Sequence, residues 1–91
     1  PVEWVGKKEL LPILDDKSTI PLVLSPTPCV YRTNVIESLN QCHLKWRLAF
    51  SSPSYAGKMA AVRAGLGITA IQGSMIPNFL DKLDDYFLPS L

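Results

Sequence analysis

The sequence predicts an α/β fold, a three-layer α-β-α Rossmann-like lobe around a mostly parallel sheet of about four or five strands. Short apolar runs at residues 20–24, 46–50 and 68–71 are rich in β-branched side chains and have the length of buried strands. Apolar residues at helical spacing lie between them, at 29–41 and 55–64. Strands that alternate with helices in this way are typical of parallel sheets, because each helix carries the chain back across the sheet.

The first half of the chain contains two predicted strands and one predicted helix. Residues 1–6 alternate as a strand, and residues 7–19 form a polar, solvated connection. Residues 20–24 form a buried strand in which Pro21 lies near the start, where a missing N–H donor is tolerated. The helix at residues 29–41 takes Thr27 as its cap. Its inward-facing residues are predicted to be Tyr31, Val35, Ile36 and Leu39.

The segment from residue 46 to residue 72 reads as strand, helix, strand, a right-handed crossover. Ser52 and Pro53 suit the N-cap and the first helical position, and Gly65 suits the left-handed residue that ends a helix. After it, residues 73–82 are predicted to be a short irregular helix, and residues 84–91 a returning strand.

The central segment also carries a family resemblance. The run Phe50-Ser-Ser-Pro-Ser-Tyr-Ala-Gly, followed by Ala60-Ala-Val-Arg-Ala-Gly-Leu-Gly-Ile-Thr, resembles the second lobe of the effector-binding domain of LysR-type transcriptional regulators. Residues 1–6 and 29–39 resemble the strand and helix that precede this unit in the family. The resemblance implies the type 2 periplasmic-binding-protein fold. Gln72-Gly73 departs from the pattern, since a "leu-pro" pair is usual there.

The resemblance implies that residues 1–91 are a single effector-binding lobe, a fragment of a longer two-lobed domain. In such regulators a small effector, here expected to be polar or anionic, binds between two lobes and changes their angle. The expected partners are therefore the effector, the other lobe and further copies of the chain in a homo-oligomer. DNA would be bound only through a helix-turn-helix domain absent from this chain. A cytoplasmic location, no enzymatic activity and no cofactor are also expected.

Two loops are the predicted effector-binding elements. Each follows a predicted parallel strand and opens a helix, so that unpaired N–H groups and hydroxyls meet at one edge of the sheet. The alternative is that the hydroxyls in these loops only cap the helices. The candidate effector-binding residues are Thr27, Pro28, Cys29, Ser51, Ser52, Pro53 and Ser54.

Composition argues against several other classes of function. The chain has 9 basic and 8 acidic residues, a net charge of +1, and no basic run that would indicate a nucleic-acid surface. No apolar run approaches the roughly 20 residues that span a bilayer.

Cys29 and Cys42 flank a predicted helix, roughly 20 Å apart, which is too far for a disulfide. Cys29 is interpreted as a packed or capping residue, with a redox sensor as the alternative.

No catalytic or metal-binding motif is present. The run Gly65-Leu-Gly-Ile-Thr-Ala matches a dinucleotide fingerprint on paper, but it closes a helix, whereas that fingerprint opens one. His43 beside Cys42 lacks further spaced ligands for a metal. Two alternatives to the regulator remain. They are a lobe of a periplasmic solute-binding protein and an enzyme lobe that takes its base or its cofactor lysine from a missing partner.

Overall fold

The computed structural model describes residues 2–13, 19–83 and 87–91, and it contains five strands and two α-helices. The strands are β1 (Val2–Gly6), β2 (Ile20–Leu24), β3 (Trp46–Ser51), β4 (Thr69–Gln72) and β5 (Asp81–Lys82). The helices are α1 (Val30–Gln41) and α2 (Tyr55–Arg63). Two 3₁₀ helices lie at Lys8–Ile13 and Gly73–Met75. The predicted strand and helix centres are therefore largely in place.

The sheet is mixed, which corrects the prediction of a mostly parallel sheet. β2 and β3 pair in parallel, whereas β1 runs antiparallel to both β4 and β5. A parallel bridge between Leu22 and Ile68 joins the two groups of strands, so that β2 lies between β3 and β4. Among the described residues, α-helices connect only β2 to β3 and β3 to β4, and that alternation determines the direction of these three strands alone. β1 and β5 are joined to the rest by other connections, so the same rule does not apply to them.

The two α-helices cover opposite faces of the sheet. Leu22 packs in one apolar cluster with Val35 and Leu39 of α1, whereas the next residue, Val23, packs in a second cluster with Met59 of α2. Successive side chains of a strand point to opposite faces, so the two clusters lie on either side of β2. The described residues thus form the expected three layers.

The helix starts differ from the sequence prediction. Thr27 does not cap α1. That position belongs to Cys29, whose extended backbone has φ −156° and whose side chain makes no capping hydrogen bond. Ser54, and not Ser52, caps α2, because the Ser54 Oγ accepts a hydrogen bond of 3.0 Å from the Gly57 N–H. Pro53 therefore precedes the N-cap and does not occupy the first helical position.

Of the apolar residues predicted to face inward on α1, Val35 and Leu39 are fully buried. Ile36 is half-buried, and Tyr31 keeps 37% of its surface exposed. The tyrosine is left accessible because it lies in the first turn of the helix, at the edge of the sheet.

The connections near both ends of the chain also differ from prediction. A 3₁₀ helix, Lys8–Ile13, replaces the first part of the predicted loop, and residues 14–18 lie outside the described residues. The predicted helix at 73–82 is reduced to one 3₁₀ turn, and the last strand is Asp81–Lys82 instead of 84–91. Residues 84–86 lie outside the described residues, and 87–91 have no regular structure. The Trp4 Nε1–H donates a 2.7 Å hydrogen bond to the Pro89 carbonyl, which ties this tail to β1.

Candidate functional site

A cleft of about 210 Å³ opens at the carboxyl end of β2, between the first turns of α1 and α2. Ser25 directly follows β2, Cys29 is the N-cap of α1, and β4 forms the floor. The location agrees with the general rule that open α/β sheets bind ligands beyond the carboxyl ends of their strands. The lining residues are Leu24, Ser25, Cys29, Tyr31, Arg32, Tyr55, Lys58, Thr69, Ala70, Ile71, Gln72 and Met75.

Two cationic side chains meet at Ser25. The Lys58 Nζ donates to the Ser25 Oγ at 2.6 Å, and the Arg32 Nη1 donates to the Ser25 carbonyl oxygen at 3.0 Å. Both cations are half-buried and line the cleft. The lining includes no aspartate or glutamate, and the ion pair found among the described residues lies elsewhere, between Lys82 and Glu3 at 3.7 Å. Only neutral oxygens therefore oppose the positive charge in this cleft.

Aromatic and apolar side chains form the rest of the cleft. Tyr31, Tyr55 and Met75 line it while retaining 37%, 41% and 50% of their surface exposed. The Tyr55 hydroxyl donates to the Met75 carbonyl, which holds the ring against the 3₁₀ turn after β4. The cleft thus combines two cations with an apolar wall that water contacts in the isolated chain.

Only one of the seven predicted site residues, Cys29, lines this cleft. Thr27 and Pro28 are exposed in the preceding loop, with a cis peptide bond between them. The four residues Ser51, Ser52, Pro53 and Ser54 lie at the end of β3 and in the β3–α2 loop.

Two of the hydroxyls in that loop are used locally. The Ser52 Oγ accepts a hydrogen bond from the Ser54 N–H at 3.1 Å, and the Ser54 Oγ caps α2. This is the geometry that the capping alternative describes. Effector binding by these loop residues stays a prediction.

The sequence reasoning missed the cations Arg32 and Lys58 and the tyrosines Tyr31 and Tyr55. All four lie in the first one or two turns of α1 and α2, just beyond the loops that were chosen. A helical side chain in the first turn lies close to the same sheet edge as the capping residue. Charged and aromatic residues within four positions of each helix start were therefore the signal that could have identified them.

Metal ligands, free thiols and membrane-spanning helices were considered within the part of the chain that the structure describes. No three His, Cys, Asp or Glu side chains there come together as metal ligands would, and His43 is exposed with a left-handed backbone at φ 58°. Cys29 and Cys42 are free thiols at the two cap positions of α1. None of the described helices has the length and hydropathy that crossing a membrane requires.

Comparison with protein families identifies the family of this chain. The model of the LysR substrate binding domain matches residues 9–84, most of the chain. The chain belongs to this family. The resemblance inferred from residues 50–57 and 60–69 is thereby confirmed, and with it the relation to type 2 periplasmic-binding proteins. LysR substrate-binding domains are the ligand-sensing regulatory domains of LysR-type transcriptional regulators, so ligand sensing is the general role of this chain.

Proposed function

We propose that this chain is one lobe of the effector-sensing domain of a cytoplasmic LysR-type regulator, and that the cleft at Ser25 forms one wall of its effector site. The observation that carries the proposal is the meeting of Arg32 and Lys58 at the carboxyl end of β2. Two half-buried cations that have no carboxylate partner among the described residues keep N–H donors available to a ligand. A binding site for a polar or anionic ligand would use these two cations.

The cleft is open on one side, and a second lobe would close it. Closure excludes water, and charge-assisted contacts strengthen when water is removed. The effector would then favour one angle between the lobes and, through an oligomer, one spacing of DNA-binding domains supplied by another part of the protein. The isolated chain should bind effector weakly, because it supplies only part of the contacts.

The chemistry of the cleft favours binding over catalysis. Its titratable lining groups are Cys29, Tyr31, Arg32, Tyr55 and Lys58, with no histidine or carboxylate within the lining to act as a general base. A nucleophile paired with a base, the usual sign of covalent catalysis, is not formed by these residues. We therefore assign the chain a sensing role without a reaction of its own.

The test uses the complete protein encoded by the gene from which this chain derives. Its binding to DNA fragments flanking the gene is measured by fluorescence anisotropy, with and without pooled cell metabolites. We expect sequence-specific DNA binding whose affinity changes about 5- to 150-fold when the effector is present. A full-length protein that carries an export signal and does not bind DNA would refute the proposal and would favour solute capture for transport.

A further inference from the structure

The positive charge in the cleft is only partly satisfied by the protein. A guanidinium offers five N–H donors and an ammonium offers three, whereas Arg32 and Lys58 each have one hydrogen bond to Ser25 among the described residues. Both acceptors are neutral oxygens of one residue. A negatively charged acceptor would form shorter and stronger hydrogen bonds with the same donors.

We propose that the effector is a small organic carboxylate with an apolar body, and that Arg32 and Lys58 together bind its carboxylate. This inference rests on the proposed function and specifies the ligand class of the same site. Lys58 would turn from the Ser25 Oγ to the ligand. The freed hydroxyl of Ser25 can then donate its own hydrogen to a carboxylate oxygen.

The cleft is large enough to hold a ligand of this kind. A cavity of about 150 Å³ holds a benzene molecule. The cleft of about 210 Å³ therefore has room for a six-carbon body plus a carboxylate. The apolar body would pack against Tyr31, Tyr55 and Met75, which are exposed in the isolated chain.

An inorganic anion fits the same cations but leaves this wall uncovered. Phosphate or sulfate would gain the charge-assisted hydrogen bonds and none of the apolar burial. A neutral apolar molecule would gain the burial and leave the two cations with Ser25 alone. A ligand that combines both features uses the whole cleft, which is why we choose the organic carboxylate over either.

The test is an NMR titration of the ¹⁵N-labelled 91-residue chain with three probes. Benzoate is the carboxylate, benzamide is its neutral isostere, and inorganic phosphate is the anion without an apolar body. We expect benzoate to bind at least about tenfold more tightly than the other two. Its chemical-shift changes should concentrate at the backbone amides of Arg32, Tyr55 and Lys58. Binding should weaken as salt is raised from about 0.02 to about 0.5 M.

Matched variants separate a direct contact from a general effect of charge. Arg32→Gln and Lys58→Gln should each lose about tenfold or more of benzoate affinity while leaving benzamide affinity unchanged. Arg47→Gln and Lys45→Gln make the same chemical changes at exposed positions outside the cleft, and both should bind benzoate like the unmodified chain. The dispersion of each variant's NMR spectrum reports whether it is folded.

Ser25→Ala and Cys29 supply independent readouts. Ser25→Ala removes the hydroxyl that Lys58 contacts and that can donate to the ligand. Because Arg32 and Lys58 both remain, the preference for benzoate over benzamide should persist in that variant. Cys29 lines the cleft and Cys42 does not, so benzoate should slow alkylation of Cys29 alone. Equal protection of both thiols would contradict binding in the cleft.

The outcomes distinguish this inference from the proposed function. If benzamide binds in the cleft as tightly as benzoate, or if both cleft variants behave like their surface controls, the carboxylate proposal is wrong and the sensing role stands. If phosphate binds as tightly as benzoate, the site is a simple anion site and the apolar body is refuted. If benzoate binds as expected but no carboxylate changes DNA binding by the complete protein, the ligand class stands and the regulatory role is refuted.

Discussion

Replacing Gly67 by alanine should destabilise the chain strongly, because Gly67 lies where the two groups of strands meet. A Cβ atom added there would lie 2.6 Å from the Pro21 carbonyl oxygen and 2.9 Å from its carbonyl carbon. Both atoms are backbone, so no side chain can turn away to make room. The same Pro21 oxygen accepts the 2.9 Å hydrogen bond from the Ile68 N–H, and the Val23 N–H donates at 2.9 Å to the Ile68 oxygen.

The expected loss follows from these contacts. Relieving the clash requires β2 and the start of β4 to separate, which strains or breaks two hydrogen bonds worth about 1 kcal/mol each. Moving packed backbone adds about 1–3 kcal/mol. We expect a total loss of about 3–5 kcal/mol in the free energy of unfolding. For a domain whose whole stability is on the order of 5–10 kcal/mol, this is a large fraction.

Gly65→Ala is the matched control. Gly65 has φ 82° and no atom within 4 Å of its added Cβ, so alanine meets backbone strain there without a clash. The expected loss is about 1 kcal/mol, from the left-handed conformation alone. Both variants reduce the entropy of the unfolded chain equally, so this contribution cancels in the comparison.

The assay is urea unfolding followed by tryptophan fluorescence and far-ultraviolet circular dichroism, with amide hydrogen exchange as a local readout. Gly67→Ala should lower the protection of the Val23 and Ile68 amides, whereas Gly65→Ala should lower it only near the end of α2. If Gly67→Ala loses less stability than Gly65→Ala, the close approach at Pro21 does not hold the sheet together and the reasoning fails.

Three further predictions concern α1 and α2. Leu39→Ala should lower the free energy of unfolding by about 3 kcal/mol, because Leu39 is fully buried. Val30 is 74% exposed, so Val30→Ala should change the free energy of unfolding by less than about 0.5 kcal/mol in the same urea assay. Ser54→Ala should cost about 1 kcal/mol through the lost cap of α2, and Thr27→Ala should cost almost nothing; equal losses would contradict the observed cap. Alkylation of the folded, unreduced chain, followed by mass spectrometry, should label both thiols. Exposed Cys42 should react faster than half-buried Cys29. A faster reaction at Cys29 would instead indicate an activated thiol.

The sequence reasoning was most accurate where local patterns are strong. The buried strand at Ile20–Leu24, the end of α2 at Gly65 and the inward positions Val35 and Leu39 all agree with the structure. It failed at the helix starts. Thr27, Ser52 and Ser54 all have side chains suited to capping, and only the path of the backbone selects Ser54 and rejects the other two.

The cleft lies at the edge of the sheet that the sequence reasoning chose, and Cys29 is the one predicted site residue that lines it. The rule that ligands bind beyond the carboxyl ends of parallel strands is a property of topology, and the alternation of strands and helices revealed it. The rule does not identify side chains. Arg32 and Lys58 lie on different helices, 26 positions apart in the chain, and nothing local in the sequence pairs them.

The sequence by itself determined the alternation of apolar runs, the two helices, the glycine that ends α2 and the family to which the chain belongs. These features depend on neighbouring residues, or on motifs that span one strand-helix-strand unit. Only the tertiary structure decided that β1 is antiparallel to β4 and β5 and that two cations from separate helices both contact Ser25. The physical reason is that the direction of a strand and the contacts between side chains of different helices depend on packing between distant segments. A local sequence pattern carries no information about that packing.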